Sequence, residues 1–305
     1  MVRRSEAGDA DCAIARALDV VGDPWTLLIV RDAARGVSRF DGFQAELGLS
    51  RKVLAERLRL LVDGGVLVRE PYQDRPVRHD YRLTARGRAL LPVLVALQDW
   101  GDTWVLGDGE ASATAAEDSR EAARVHALRG ARLPALALVD STDPGAAPGD
   151  PLAAGAWTVL YCFPGAFARP DAYPPGWGAV PGAPGCTLEA RTFRDRLAEF
   201  TAAGAAVRGV STQRPDEQRA FAEAEGLTFP LLSDTALELT AALRLPTLRA
   251  AGTTRLKRLT LVVDPARVVR EVLYPVTDVE AGVAAALAAV RVGTSGEDRW
   301  GPEPS

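Results

Sequence analysis

A Pro-Gly turn, Pro184-Gly185, hands Cys186 to the start of a helical pattern, and no other stretch of the 305-residue chain constrains its fold and chemistry as closely. The apolar residues Leu188, Phe193, Leu197 and Phe200 are spaced for one face of that helix. A thiol in a first helical turn faces unpaired backbone N–H groups and the positive end of the helix dipole. Both favour thiolate, the reactive form. The local residues leave two readings open, a reactive thiol or a small buried hydrophobe. The Gly and Pro beside Cys186, and the polar residues after it, predict an accessible thiol.

The surrounding pattern is that of an α/β domain. Trp157–Phe163 is an apolar run closed by Pro164-Gly165, and Ala205–Val210 is a second run leading into Ser211-Thr212. A helix over 216–224 precedes Phe229–Asp234, and another ends near Arg244. Leu259–Asp264 is a strand with which 267–272 pairs, and a helix over 279–290 closes the domain. The domain is expected over 132–292, with a disordered tail over 293–305.

Before it lies a different pattern. Asp11 can cap a first helix, Gly22-Asp23-Pro24 interrupts it, and Pro24 suits the start of a second helix reaching Ala34. A short helix ends near Gly48. Ser50 can cap a helix over 51–62 whose Leu54, Leu58 and Leu61 share a face. Gly64-Gly65 stops it, Val66–Val68 and 79–83 form two strands about the turn 73–76, and Thr84 caps a helix over 85–104. This order predicts a mainly α winged helix-turn-helix over 1–106. Residues 107–131, acidic and Ala-rich, are expected as a linker with a helix possible over 116–128. The Ser50-capped helix would enter a major groove with Arg51, Lys52 and Arg57, while the ribbon offers Arg75, Arg78 and His79 to the flanking backbone. The competing reading of these cations is a solvated face.

Composition narrows the function classes. The hydrophobic fraction of 47% and charged fraction of 25% are globular values, and the length suffices for two cores. A net charge of −4 excludes a global basic field but not a local patch. No stretch reaches membrane-span length and the N-terminus has no apolar signal segment, so a cytoplasmic protein without a membrane partner is expected. The three cysteines, Cys12, Cys162 and Cys186, are too few and scattered for a disulfide framework or zinc site. With only His79 and His126, no metal is expected either.

Two family resemblances sharpen this reading. Pro184-Gly185-Cys186-Thr187-Leu188-Glu189-Ala190-Arg191-Thr192-Phe193-Arg194-Asp195 resembles the peroxidatic motif of the peroxiredoxins, nearest the bacterioferritin-comigratory (Q) class. Supporting stretches are 207–211, 229–234 and 258–264. The resemblance implies a thioredoxin-like fold in which Cys186 is oxidised by peroxide. Arg258 would stabilise the thiolate, and Thr187 and Glu189 would belong to the site. No cofactor is implied beyond an external reductant, a thioredoxin-like protein or low-molecular-weight thiol. The chain departs from the pattern in three places. Ala183 stands where the family has Thr or Ser, a Pro- and Gly-rich insert fills 166–183, and Arg191 stands where the Q class often has a resolving cysteine. Resolution is therefore left to Cys12, Cys162, a partner subunit or an external thiol. Cys162, in an apolar strand, is expected to be buried.

The stretches 15–18, 22–28, 39–40, 49–54, 57–58 and 81–84, with Gly87, resemble the HxlR family of bacterial transcription regulators. The resemblance implies a homodimer on double-stranded operator DNA, with Leu90, Leu94, Leu97, Trp100 and Trp104 available for dimer contacts or for packing within the subunit. Cys12, in or near a first helical turn with Asp9 and Asp11 nearby, reads equally as a sensing thiol or an inert one. The expectation is a redox-linked regulator that binds DNA as a dimer and reduces or senses hydroperoxides at Cys186. A Cys12–Cys186 disulfide would tie the two activities together. The alternatives are a sensor without turnover and a peroxidase whose winged helix serves dimerisation.

Overall fold

The computed structural model describes residues 12–106, 112–250 and 252–295, and the chain divides into two compact units, Met1–Ala96 and Leu97–Ser305. The first contains helices α1 (Ala13–Val21), α2 (Pro24–Ala34), α3 (Phe40–Leu47) and α4 (Arg51–Asp63), strands β1 (Leu67–Asp74) and β2 (Val77–Leu83), then α5 (Ala85–Arg88). Helix α6 (Leu91–Trp104) crosses the division. Cys12 occupies the N-cap of α1 without a side-chain cap, and Asp11 lies outside the described residues. Asp23 caps α2, accepting from the Trp25 N–H at 2.9 Å, with Pro24 as the first helical residue. Ser50 caps α4 through the Val53 N–H. Ile29, Phe43, Leu54, Leu58, Leu61 and Val66 close one core beneath an antiparallel β1–β2 ribbon. The helix expected over 85–104 is broken after Arg88. Pro92 has no N–H for the Arg88 carbonyl, and its ring crowds that carbonyl.

The second unit holds α7 (Arg120–His126), β3 (Val139–Asp140), β4 (Trp157–Cys162), α8 (Cys186–Asp195), α9 (Leu197–Ala202), β5 (Ala205–Ser211), α10 (Pro215–Glu225), β6 (Leu231–Ser233) and α11 (Glu238–Leu243). The hairpin β7 (Thr247–Ala250) and β8 (Thr253–Leu256) leads to β9 (Leu259–Val263), β10 (Val269–Leu273) and α12 (Val279–Thr294). Six strands form one sheet in the order β10-β9-β4-β5-β6-β3. The pairs β4–β5 and β5–β6 are parallel, and β4–β9, β9–β10 and β3–β6 antiparallel. Strand alternation divides the core between the two faces of this sheet. Val159 and Tyr161 pack on the face covered by α8, α9, α10 and α12, while Leu160 and Cys162 pack on the opposite face with α7 and α11. This is the α/β thioredoxin-like peroxiredoxin architecture expected for the second half.

Several boundaries differ from the sequence reading. The stretch expected as a linker is, over 112–131, part of the second unit. Ala113, Ala122 and Val125 are fully buried, and Glu121 accepts from Lys257 Nζ at 2.8 Å and from the Tyr274 hydroxyl. An acidic, Ala-rich composition concealed an ion pair whose partner, Lys257, lies far away in sequence between β8 and β9. The helical stretch after Cys186 divides at Arg196, leaving Leu197 and Phe200 on α9, and Leu188 faces outward. Residues 293–294, assigned to a tail, complete α12, whereas 296–305 lie outside the described residues. No described helix is long and apolar enough to cross a membrane.

Candidate functional site

Cys186 is the first residue of α8, and Gly185, at φ 108°, precedes it in a conformation that favours glycine. A Cβ there would also lie 3.6 Å from Arg258 Nη2. The cysteine is 3% exposed, contrary to the expected accessible thiol. It packs with Tyr161, Phe163, Ala166, Ala190 and Phe193, an apolar lining assembled from distant strands and loops that the Gly-, Pro- and polar-rich neighbours in sequence do not reveal.

Arg258, at the head of β9 and 2% exposed, is the centre of the site. Its Nη1 donates to Glu189 Oε2, and its Nη2 approaches Cys186 Sγ at 3.4 Å and the carbonyls of Gly182 and Pro184 at 3.2 Å each. The thiol donates to the Ala183 carbonyl at 3.3 Å. Burial pushes the thiol above its ordinary range, Arg258 pulls it back, Glu189 opposes that pull, and the Gly165 N–H lowers it again. Burial prevails, so the net displacement of the thiol is upward, against the pull toward thiolate expected from the helix terminus. Burial also raises the Glu189 carboxyl to about 7 against the pull of Arg258. Glu189, in the first turn of α8, thus holds the guanidinium that faces the sulfur. Thr187 Oγ1 lies 3.4 Å from the Tyr173 hydroxyl, tying the start of α8 to the 166–183 insert.

The other cysteines are separate. Cys162 is fully buried in β4 on the face of the sheet opposite Cys186, and burial raises its thiol well above the ordinary range. That orientation counts against Cys162 as the resolving thiol. Cys12 is partly exposed, and all three cysteines are free. Arg191 pairs with Glu225 at 2.5 Å.

In the first unit, Ser50, Arg51 and Lys52 are exposed at the start of α4, with Arg51 loosely placed 3.4 Å from Asp41 and over the Phe40 ring. Arg75 and Arg78 are exposed on the ribbon, and His79 is half-buried. Arg57 is different. It turns inward to pair with Asp23 at 3.0 Å, so it braces the start of α2 instead of joining the exposed cations. Arg59, which the sequence reading passed over, is exposed on α4.

Residues that the sequence reading missed lie on the far side of Gly165. A Cβ at Gly165 would lie 3.4 Å from Trp177 Cη2, 3.5 Å from Arg255 Nη1 and 3.5 Å from Gln213 Cδ. Gln213 clamps the start of the insert, exchanging hydrogen bonds of 2.8 Å with the Ala166 N–H and carbonyl. Only the repeated aromatics Phe167, Tyr173 and Trp177 within the Pro- and Gly-rich insert hinted at this arrangement.

Comparison with known proteins agrees with both halves. Residues 20–108 match the HxlR-like helix-turn-helix family, and residues 179–272 match the AhpC/TSA family. An uncharacterised HTH-type transcriptional regulator of Mycobacterium tuberculosis is 47% identical over 93 residues, 30% of this chain and 59% of that relative's length. A putative peroxiredoxin of the same organism is 51% identical over 59 residues, 19% of this chain and 38% of its own length. The crystal structure of peroxidoxin BcpB from Mycobacterium tuberculosis is 30% identical, covering 54% of this chain and 96% of that one, with a TM-score of 0.45. The chain thus spans less than two thirds of the length of these two curated relatives. Through its N-terminal part the chain belongs to the HxlR-like helix-turn-helix family, and to this transcription-regulator domain it joins a C-terminal peroxiredoxin-like domain that matches the AhpC/TSA family over 179–272.

Proposed function

We propose that the protein is a cytoplasmic, redox-linked transcription regulator that binds operator DNA as a homodimer and reduces hydroperoxides at Cys186. The observation that carries the peroxidase reading is the buried Arg258 guanidinium 3.4 Å from Cys186 Sγ, held by Glu189. After losing its proton, the sulfur attacks one peroxide oxygen. The S–O bond forms as the O–O bond breaks, and the other oxygen leaves as alcohol or water carrying that proton. Arg258 faces the charge developing there. The sulfenic acid condenses with a thiol, releasing water and forming a disulfide, and a second thiol regenerates Cys186. A thioredoxin-like protein or small thiol supplies those equivalents.

DNA binding is supported by the exposed Arg51, Lys52, Arg75 and Arg78 on a helix and ribbon of winged-helix order. Dimerisation is supported by the apolar residues of α6 and by Leu90 just before it. Leu90 and Leu94 pack on their own core, while Leu97, Trp100 and Trp104 stay exposed, Trp104 at 75%. Oxidation at Cys186 would change dimer geometry and hence operator spacing.

The experiment is peroxide titration of the reduced protein, with intact mass and peptide mapping of the wild type and Cys186→Ser. Stoichiometric oxidation confined to Cys186 is expected, and a Cys12–Cys186 linkage would identify the resolving thiol. Oxidation of Cys186 no faster than a free thiol would remove the peroxidase reading. Sedimentation of Trp100→Glu with Trp104→Glu tests the dimer, with the monomer as the expected outcome.

A further inference from the structure

Arg255, on β8, is 6% exposed, and its Nε and Nη1 have no hydrogen-bond partner among the described residues. Trp177 Nε1 is likewise buried and unpartnered. Both side chains are donors only, so no reorientation turns either into an acceptor for the other. A buried guanidinium with unmet N–H groups is costly unless an acceptor arrives. The rings of Phe167 and Trp177 lie 5.8 Å from Arg255 Cζ, offering cation–π contact but no hydrogen-bond acceptor. Glu217, the carboxylate that acts on Arg255 electrostatically, is itself occupied by the Arg214 N–H at 3.1 Å.

These donors sit beside the reactive centre. Gly165 links the two, its N–H acting on Cys186 while a Cβ at that position would meet Trp177 and Arg255. Phe167, Tyr173 and Trp177 form a ring cluster, with centroids of Phe167 4.8 Å from Tyr173 and 6.1 Å from Trp177. Tyr173 meets Thr187, next to Cys186. The insert and β8 together thus lay an aromatic surface and a charged, unpartnered donor set beside Gly165.

We infer that this insert and Arg255 form a substrate subsite for organic hydroperoxides that carry a carboxylate on an aromatic or apolar body. The carboxylate accepts from Arg255 and the Trp177 indole, and the body lies against the three rings. The subsite rests on the peroxidase reading of Cys186. It changes which hydroperoxide reacts, not the bonds made and broken.

The test compares Cys186 oxidation by hydrogen peroxide, cumene hydroperoxide and para-carboxy cumene hydroperoxide, which differs from the second only by the carboxylate. The wild type should prefer the carboxylated compound over cumene hydroperoxide by about tenfold or more, the worth of one charged hydrogen bond. Arg255→Gln should remove that preference and Trp177→Phe should reduce it. The non-reactive para-isopropylbenzoate should protect wild-type Cys186 competitively, a readout that stands if Arg255→Gln does not fold. Equal rates for the two cumene compounds in the wild type, or a preference that survives in folded Arg255→Gln, would overturn the subsite while leaving the peroxidase intact. If no hydroperoxide oxidises Cys186 faster than a free thiol, the peroxidase reading falls and the subsite with it.

Discussion

At the scale of single residues, the chemistry rests on a contest between burial and one guanidinium. Burial holds the Cys186 thiol above its ordinary range, so its oxidation rate should climb about tenfold for each pH unit across neutral pH, with no plateau there. Alkylation and peroxide kinetics against pH check this, and a plateau already at neutral pH would show that Arg258 outweighs burial. Arg258→Gln should slow oxidation by about 100-fold or more, since it removes the donor facing the reacting oxygens. It also leaves Glu189 buried and unpaired, a loss of about 3 kcal/mol. Adding Glu189→Gln should restore much of that stability but not the rate, which separates chemistry from packing. The motif around Cys186 was legible in sequence, because a turn, a helix start and a cysteine are local features. The burial of that cysteine was not, because the cluster that buries it includes Tyr161 on β4 and Phe163 just after it, both far away in sequence.

At the scale of elements, the sequence pattern located most helices and central strands and failed where non-local partners decide. The segment over 112–131 lacks the apolar density of a core element, yet α7 is anchored by Glu121 to Lys257 and Tyr274. Glu121→Ala strands a buried ammonium and should cost about 3 kcal/mol, lowering the melting temperature by roughly 10 °C. A change within a degree or two by calorimetry would mean that the segment is a linker after all. The apolar spacing that continues past Pro92 predicts one helix, whereas the proline divides α5 from α6. The hairpin of β7 and β8 carries Arg255, and its short strands left no periodic signal long enough to read.

At the scale of the whole molecule, the candidate DNA-binding cations of α4 separate into exposed Arg51 and Lys52 and inward-turned Arg57. Arg51→Ala and Lys52→Ala should each reduce the slope of log affinity against log salt by about one on operator DNA. Arg57→Ala should leave that slope unchanged and instead destabilise the first unit, because its partner is Asp23. Fluorescence anisotropy across a salt series with thermal melts distinguishes the two, and a reduced slope for Arg57→Ala would place that side chain on DNA.

The amino-acid sequence by itself determined the order of most elements and, by resemblance, the two family likenesses and the pairing of Cys186 with Arg258 as candidate site residues. The elements depend on turns, caps and periodicities that neighbouring residues create, and the family likenesses on short contiguous motifs. Tertiary structure alone decided that Cys186 is buried, with its thiol pushed upward, that Cys162 faces the other side of the sheet, and that Arg57 points inward. It alone brought the unpartnered donors of Arg255 and Trp177 to Gly165. Each of these turns on desolvation or on a partner far away in the chain, and neither is written into local sequence.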